Sequence, residues 1–169
     1  NALLSLVTIV LQLKRRCMEN ISRIGFGGGC HWCTEAVFQA LLGVVKVEQG
    51  WIASTTPYDD FSEGVIVNFD SSIISVDVLI EVHLLTHSSS NEHSMRTKYR
   101  SAIYYFDDKG SAVLYNTLAR LGNENNIHYI TKILPFQEFR LNATNQLNYY
   151  SKKKEAPFCQ VYISPKLSA

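Results

Sequence analysis

Cys30-His31-Trp32-Cys33 follows Gly27-Gly28-Gly29 and runs into Thr34-Glu35-Ala36-Val37-Phe38. The thiolate is the form of cysteine that attacks electrophiles, so the question is what would stabilise it here. Upstream, Ile21-Ser22-Arg23-Ile24-Gly25-Phe26 alternates like a short strand, and downstream Val37, Phe38, Leu41 and Leu42 are spaced like a helix face. Cys30 therefore stands at a strand-to-helix turn. The glycines permit a sharp turn and a close approach to a ligand, while a helix start offers free N–H groups and a positive dipole end. The plain alternative is a glycine-rich turn around an inert cysteine, since free cysteine often serves as a small buried hydrophobe.

Three chemistries fit the four residues. A zinc site needs four ligands, and one Cys-x-x-Cys has no second pair at usable spacing; His83, His87 and His93 would have to be brought near. A thioredoxin-like pair uses Cys-x-x-Cys at a helix start. In the third, Cys30 alone is the nucleophile and Cys33 is a helper or a passenger.

The elements that must position these residues lie in a chain long enough for one domain with a sizeable core. Of its 169 residues 46% are hydrophobic and 18% charged, the formal net charge is +1, and the longest run of like charge is Lys152-Lys153-Lys154. That argues against nucleic acid or an acidic membrane surface as the main partner. Four cysteines, at 17, 30, 33 and 159, do not make a secreted disulfide framework, which points to a reducing, cytoplasmic setting. Ala2 to Leu13 is nearly all apolar and precedes Lys14-Arg15-Arg16; it is too short to span a bilayer and has the wrong order for a signal peptide. Residues 1–17 are read as a non-native or disordered extension, with Met18 as the natural start and Cys17 incidental.

Beyond the first helix, ended by Gly43, Val44 to Gln49 reads as a strand bounded by Gly50, and Val65, Val67 and Phe69 alternate within a second, Gly64 to Asp70. Ser75 caps a predicted helix from Val76 to His87. A polar loop to Met95 leads to an aromatic strand, Ser101 to Phe106; Val113 to Leu121 carries a helical stripe ended by Gly122-Asn123, and Ile127 to Leu134 reads as a strand stopped by Pro135. Phe136 to Tyr150 reads as short or irregular pieces and Lys152 to Ala169 as a tail. The order predicts one α+β domain over residues 18–169: a mixed or antiparallel sheet with a split βαβ, ferredoxin-like core, helices packed on it, and an irregular C-terminal tail.

Gly28-Gly29-Cys30-His31-Trp32-Cys33-Thr34-Glu35-Ala36-Val37-Phe38 resembles the signature of the methionine sulfoxide reductase A family, Gly-Gly-Cys-Phe-Trp followed by a helical Glu. Gly50-Trp51 stands where that family has Gly-Tyr, Glu63 where it has the Glu of Gly-His-Ala-Glu, and Thr97-Lys98-Tyr99-Arg100-Ser101-Ala102-Ile103-Tyr104-Tyr105 resembles its Thr-Gln-Tyr-Arg-Ser-Ala-Ile-Tyr-Tyr. Asn148-Tyr149-Tyr150 and Pro157-Phe158-Cys159 resemble the ending of many members. The resemblance runs from about Arg23 to Leu167.

It implies reduction of the S epimer of methionine sulfoxide, free or in peptides, without a metal or other cofactor. Such a substrate needs a thiolate to attack sulfur, an acid for the departing oxygen and an apolar wall for the methyl group. Cys30 supplies the first and Glu63, if half buried among aromatic rings, the second. Tyr99 would hydrogen-bond the oxygen, Trp32 and Trp51 would form the wall, and His31, where the family has Phe, would line the pocket, tune the neighbouring thiolate or face solvent. Attack leaves a sulfenic acid that a second thiol must resolve, Cys159 or Cys33, with thioredoxin as the implied external reductant of a monomeric enzyme. Several family positions differ: Asp60-Phe61-Ser62-Glu63 replaces Gly-His-Ala-Glu, and Ser94 stands in place of an Asp. Two rivals remain, a dithiol oxidoreductase using Cys30 and Cys33, and a non-catalytic module that binds methionine with its aromatic pocket.

Overall fold

The computed structural model describes Thr8 and residues 20–168. The reading of residues 1–17, Cys17 included, falls outside the described residues apart from Thr8. A six-stranded sheet in the order β5-β4-β1-β3-β2-β6 forms the centre, from β1 (Ile21–Gly27), β2 (Val44–Ala53), β3 (Ser62–Asp70), β4 (Ala102–Tyr105), β5 (Lys132–Pro135) and β6 (Glu138–Leu141). The helices are α1 (His31–Gln39), α2 (Val76–Thr86), α3 (Asp108–Asn125), α4 (Tyr149–Lys152) and α5 (Ser164–Leu167), the last preceded by one π-helical turn, Cys159–Ile163. The four inner strands pair antiparallel, with β3 between β1 and β2 and β1 between β3 and β4. This is the split βαβ arrangement expected from the element order. Strand β5 joins β4 in parallel after the α3 crossover, and β6 extends the other edge antiparallel to β2.

Strand alternation divides the core. Ile24, Phe26, Val65, Val67, Phe69 and Ile103 pack with Phe38, Leu79, Ile80 and Leu114 of the helices. Ile52, Ala102, Tyr104 and Leu134 form a separate cluster with Tyr58, Phe136 and Phe139. The capping prediction at Ser75 holds, its hydroxyl accepting from the Val78 N–H at 3.4 Å.

Element ends moved where tertiary pairing outweighed local signals. Strand β2 continues through Gly50 to Ala53, because Gly50 is paired on both sides, with Gly64 and Leu141. A Cβ at Gly50 would stand 2.1 Å from the Arg140 carbonyl oxygen, so only glycine fits that approach. Helix α3 passes Gly122 and ends at Asn126, which takes the left-handed conformation (φ 52°, ψ 43°). Strand β5 is shorter than Ile127 to Leu134, since only Lys132 onward finds a partner in β4; Pro135 is tolerated because β5 is an edge. The segment after Pro135 contributes β6, and the tail expected to be irregular is largely short helical turns. Among the described residues, no helix is long and apolar enough to cross a membrane.

Candidate active site

Cys30 directly precedes α1 and has non-helical angles (φ −55°, ψ 127°), so its carbonyl accepts the N–H groups of Cys33 and Thr34, both at 3.1 Å. Its thiol is half buried. The Cys33 thiol donates to the Cys30 sulfur and is the largest influence lowering it to about 7. The N–H groups of Cys33 and Trp32 add to that effect, while burial and the Glu63 carboxylate oppose it. The same donation, with burial, pushes Cys33 up. Cys159 is fully buried, its thiol pushed up by burial, and it clusters with Cys33, Ala36 and Ile163, against which Cys30 and Trp32 pack. The cysteines at 30, 33 and 159 are all free thiols. An open hollow of about 300 Å³ lies over Cys30, with Gly28, Cys33, His87, Tyr99, Phe158 and Lys166 in its walls.

Glu63, near the start of β3, lies opposite Trp51 in the β2 register and is 5% exposed. One carboxylate oxygen accepts the His31 backbone N–H at 3.0 Å, and the other lies 3.3 Å from the Lys98 ammonium. The loop carrying Lys98 and Tyr99 is stitched along β3. Glu63 N–H and Ser62 O–H donate to the Lys98 carbonyl at 2.8 and 2.9 Å, and Arg100 N–H donates to the Ser62 hydroxyl at 2.8 Å. The buried Arg100 guanidinium anchors the loop from the opposite side on the Asp60 carboxylate and the Tyr58 carbonyl. Tyr99 is thereby held at the hollow, with the Lys98 ammonium 5.1 Å from its ring centre.

His31 is buried and both ring nitrogens are engaged. Nδ1 lies 3.3 Å from the Gly50 carbonyl and Nε2 3.2 Å from the Asn142 amide nitrogen. A carbonyl only accepts, so Nδ1 carries the proton and Nε2 accepts from Asn142. Burial lowers its basicity more than the neighbouring Glu63 raises it, which keeps the ring neutral. The edge of this ring meets Trp51, with centroids 5.7 Å apart and planes at 87°. His31 thus ties α1 to β2 and to the chain after β6. Trp32 stacks face to face on Tyr149 at 4.1 Å, with Phe158 edge-on at 5.6 Å, and its indole N–H is buried without a partner.

The structure thus brings Cys30, Cys33, Glu63, His31 and Tyr99 to one end of α1, with Cys159 beneath. Trp51 stands behind His31, and one face of Trp32 is covered by the C-terminal segment. Sequence reasoning gave no role to Gln49, Lys98, Asn142 or Tyr149. Of these Lys98 and Tyr149 carried a signal, each standing within a quoted motif, whereas Gln49 and Asn142 carried none. Glu35, part of the motif around Cys30, is 2% exposed, and its two oxygens accept from the Gln49 side chain and the Asn148 N–H, at 3.0 and 2.9 Å. Among the described residues, no group of three or more His, Cys, Asp or Glu side chains is gathered as a metal site. The arrangement suits a thiolate attack on an electrophile beside a buried carboxyl group.

A family model described as peptide methionine sulfoxide reductase matches residues 22–169. Curated relatives named peptide methionine sulfoxide reductase MsrA are 33% identical in Deinococcus radiodurans, over 85% of this chain and 77% of the relative, and 31% identical in Saccharolobus solfataricus, over 83% and 88%. The fold is similar to the crystal structure of Mxr1 from Saccharomyces cerevisiae in reduced form, with a TM-score of 0.72 and 19% identity over 83% of this chain and 90% of that one. Mxr1 in complex with Trx2 aligns with a TM-score of 0.61 and 19% identity over 76% and 84%. The lowered thiol at a helix start, the buried glutamate beside it and the tyrosine loop stitched to β3 are therefore the local build of a chain that belongs to the peptide methionine sulfoxide reductase family.

Proposed function

We propose that the protein reduces the S epimer of methionine sulfoxide, free or in peptides, to methionine. The Cys30 thiolate attacks the sulfoxide sulfur, the S–O bond breaks, and the oxygen passes to Cys30, so that thiol and sulfoxide become sulfenic acid and thioether. Glu63 passes the proton to the departing oxygen, and Tyr99 hydrogen-bonds that oxygen from the loop. His31, Trp32 and Trp51 supply the wall around the methyl group, His31 by fixing the position of Trp51. The observation that carries this reading is the convergence of a lowered Cys30 thiol, Glu63 and Tyr99 on one side of the α1 start.

Cys33, whose thiol already donates to the Cys30 sulfur, is the first resolving thiol in this reading. It condenses with the sulfenic acid, releasing water and forming a disulfide. Cys159, in the same buried cluster, then takes over that disulfide by exchange, and thioredoxin reduces it. The solved complex of Mxr1 with Trx2 supports thioredoxin as the reductant. A monomeric protein in the cytoplasm is part of the same reading, the compartment being supported by four cysteines that do not make a secreted disulfide framework.

A single-turnover assay with each epimer of a methionine sulfoxide peptide, counting methionine formed and thiols lost, tests it. One methionine from the S epimer with loss of two thiols is expected. No methionine from the S epimer, or undiminished methionine from Cys30→Ser, overturns the reading.

A further inference from the structure

Two histidines with no part in the proposed chemistry stand directly behind the glycine loop that carries Cys30. His83, on α2, is 2% exposed, and its Nε2 lies 2.7 Å from the Gly27 carbonyl oxygen. Its Nδ1 is buried with no hydrogen-bond partner. His87, just past the end of α2, packs against it with ring centroids 4.2 Å apart and planes tilted by 31°, and its Nδ1 lies 2.5 Å from the His83 carbonyl. His87 Nε2 is 2.7 Å from the Ser101 hydroxyl, itself 2.8 Å from the Thr131 hydroxyl. The His87 ring occupies the space a side chain at Gly28 would need: a Cβ there would lie 2.4 to 2.5 Å from ring atoms.

The proton positions follow from what each partner can do. Carbonyl oxygens only accept, so His83 carries its proton on Nε2 and His87 on Nδ1. His87 Nε2 then accepts from Ser101, whose oxygen accepts from Thr131. Every site in this chain is satisfied except His83 Nδ1, a bare acceptor buried at a cost that an apolar side chain would avoid. What the fold obtains in exchange is the bond to Gly27 and a flat ring against Gly28, three and two residues before Cys30.

We propose that His83 and His87 are positioning residues for Cys30: together they clamp Gly27 and Gly28, and so keep the cysteine sulfur over the N–H groups at the start of α1. Arg96 contributes from the other side of the loop by donating to the Gly28 carbonyl at 3.3 Å. Both rings stay neutral near pH 7, His87 lowered to about 4 and His83 also lowered, in each case chiefly by burial, so the clamp is not a charge effect. The ionisable groups facing Cys30 are the Cys33 thiol beside it on α1, Glu63 from β3, Tyr99 and His93 from the loop, His87 itself, and Lys166 from the C-terminal segment. His83 is not among them, so cutting the clamp there removes none of these groups.

The inference rests on Cys30 as the attacking thiol, and its test does not need the sulfoxide. Alkylation of Cys30 by iodoacetamide, resolved by peptide mass, is followed against pH in the wild-type, His83→Leu and His83→Gln proteins. Leucine removes the donor to Gly27 and glutamine restores one. His83→Leu is expected to raise the midpoint of the thiolate titration, slowing Cys30 alkylation at pH 7 by roughly threefold to tenfold, with kcat for sulfoxide reduction falling and KM unchanged. His83→Gln is expected to bring the midpoint most of the way back. A wild-type midpoint in His83→Leu, or the same rise in His83→Gln, overturns the clamp. Ser101→Ala, which frees the far nitrogen of His87 and the Thr131 hydroxyl, decides by the same midpoint if His83→Leu does not fold: a smaller rise supports the clamp and no rise overturns it. Absence of methionine production with a raised midpoint would count against the proposed reduction and leave the clamp standing.

Discussion

The two sides of α1 are built differently. On one side, Cys30, Glu63 and the Tyr99 loop are fixed by backbone bonds among β1, β3 and the chain before β4, with Glu63 and Arg100 almost wholly buried. On the other, the chain from Asn142 to Ser168 is held mainly through side chains: Tyr149 stacked on Trp32, Phe158 against the same ring, and Asn148 bonded to Glu35. Segments held by few contacts and short helical turns open at lower free energy than strands inside a sheet. The difference fits the proposed roles. The attacking thiol and the Cys33 thiol beside it need fixed neighbours, whereas a thiol that must take over a disulfide and pass it to an external reductant needs a segment that can move.

Variants that break the comparison begin on the fixed side. Glu63→Gln keeps the shape and removes the proton donor, and should lower the single-turnover rate by about a hundredfold, read as methionine formed by rapid quench. The dithiol rival expects little change from it. Cys33→Ala removes the S–H donor to Cys30, and Cys30 alkylation at pH 7 should slow by about tenfold as the thiolate fraction falls. That variant should still yield one methionine per chain while steady turnover with thioredoxin collapses. Cys159→Ser, on the C-terminal side, should leave the first methionine and its rate untouched and slow only repeated turnover. Were it to slow the first methionine equally, the division of labour would be wrong.

Smaller effects sharpen the same contrast. Tyr149→Ala should loosen the C-terminal segment at a cost of about 1 kcal/mol in urea unfolding, the worth of a stacked aromatic pair. It should also speed limited proteolysis after Asn142 while leaving Glu63 and Cys30 in place. On the fixed side, the neutral histidines set a pH dependence of stability. The unfolded chain gains a proton at each histidine near pH 6.5, whereas folded His87 does so only near 4. Stability is therefore fully present above pH 6.5 and falls as pH drops toward 4, by up to about 3 kcal/mol from His87. Urea midpoints at pH 7 and 4.5 measure this, and His87→Gln should flatten the difference.

Much of the fixed side was legible in the sequence because its signals are local. Alternation marked β1 and β3, Ser75 marked its helix start, and three glycines before Cys30 marked the turn. Glu63 and Tyr99 could be named only through resemblance, since nothing in the spacing of residues 30, 63 and 99 states that one loop is sewn to another strand. Gly50 read as a strand end because a lone glycine usually weakens a strand; here pairing on both sides outweighs that. Strand β6 and the π-helical turn were missed because their short sequences have little propensity of their own and are held by β2, Trp32 and Cys33. The engagement of both His31 nitrogens was equally hidden, as Asn142 lies 111 positions away.

The central claim is that Cys30 alone takes the oxygen. The most direct measurement uses the Cys33→Ser, Cys159→Ser double variant, mixed with the S epimer of a methionine sulfoxide peptide in the presence of dimedone, with methionine and labelled peptides counted together. One methionine per chain with one dimedone adduct on Cys30 is the predicted result. Methionine formed with the label on any other residue, or no methionine while the protein remains folded, would contradict it.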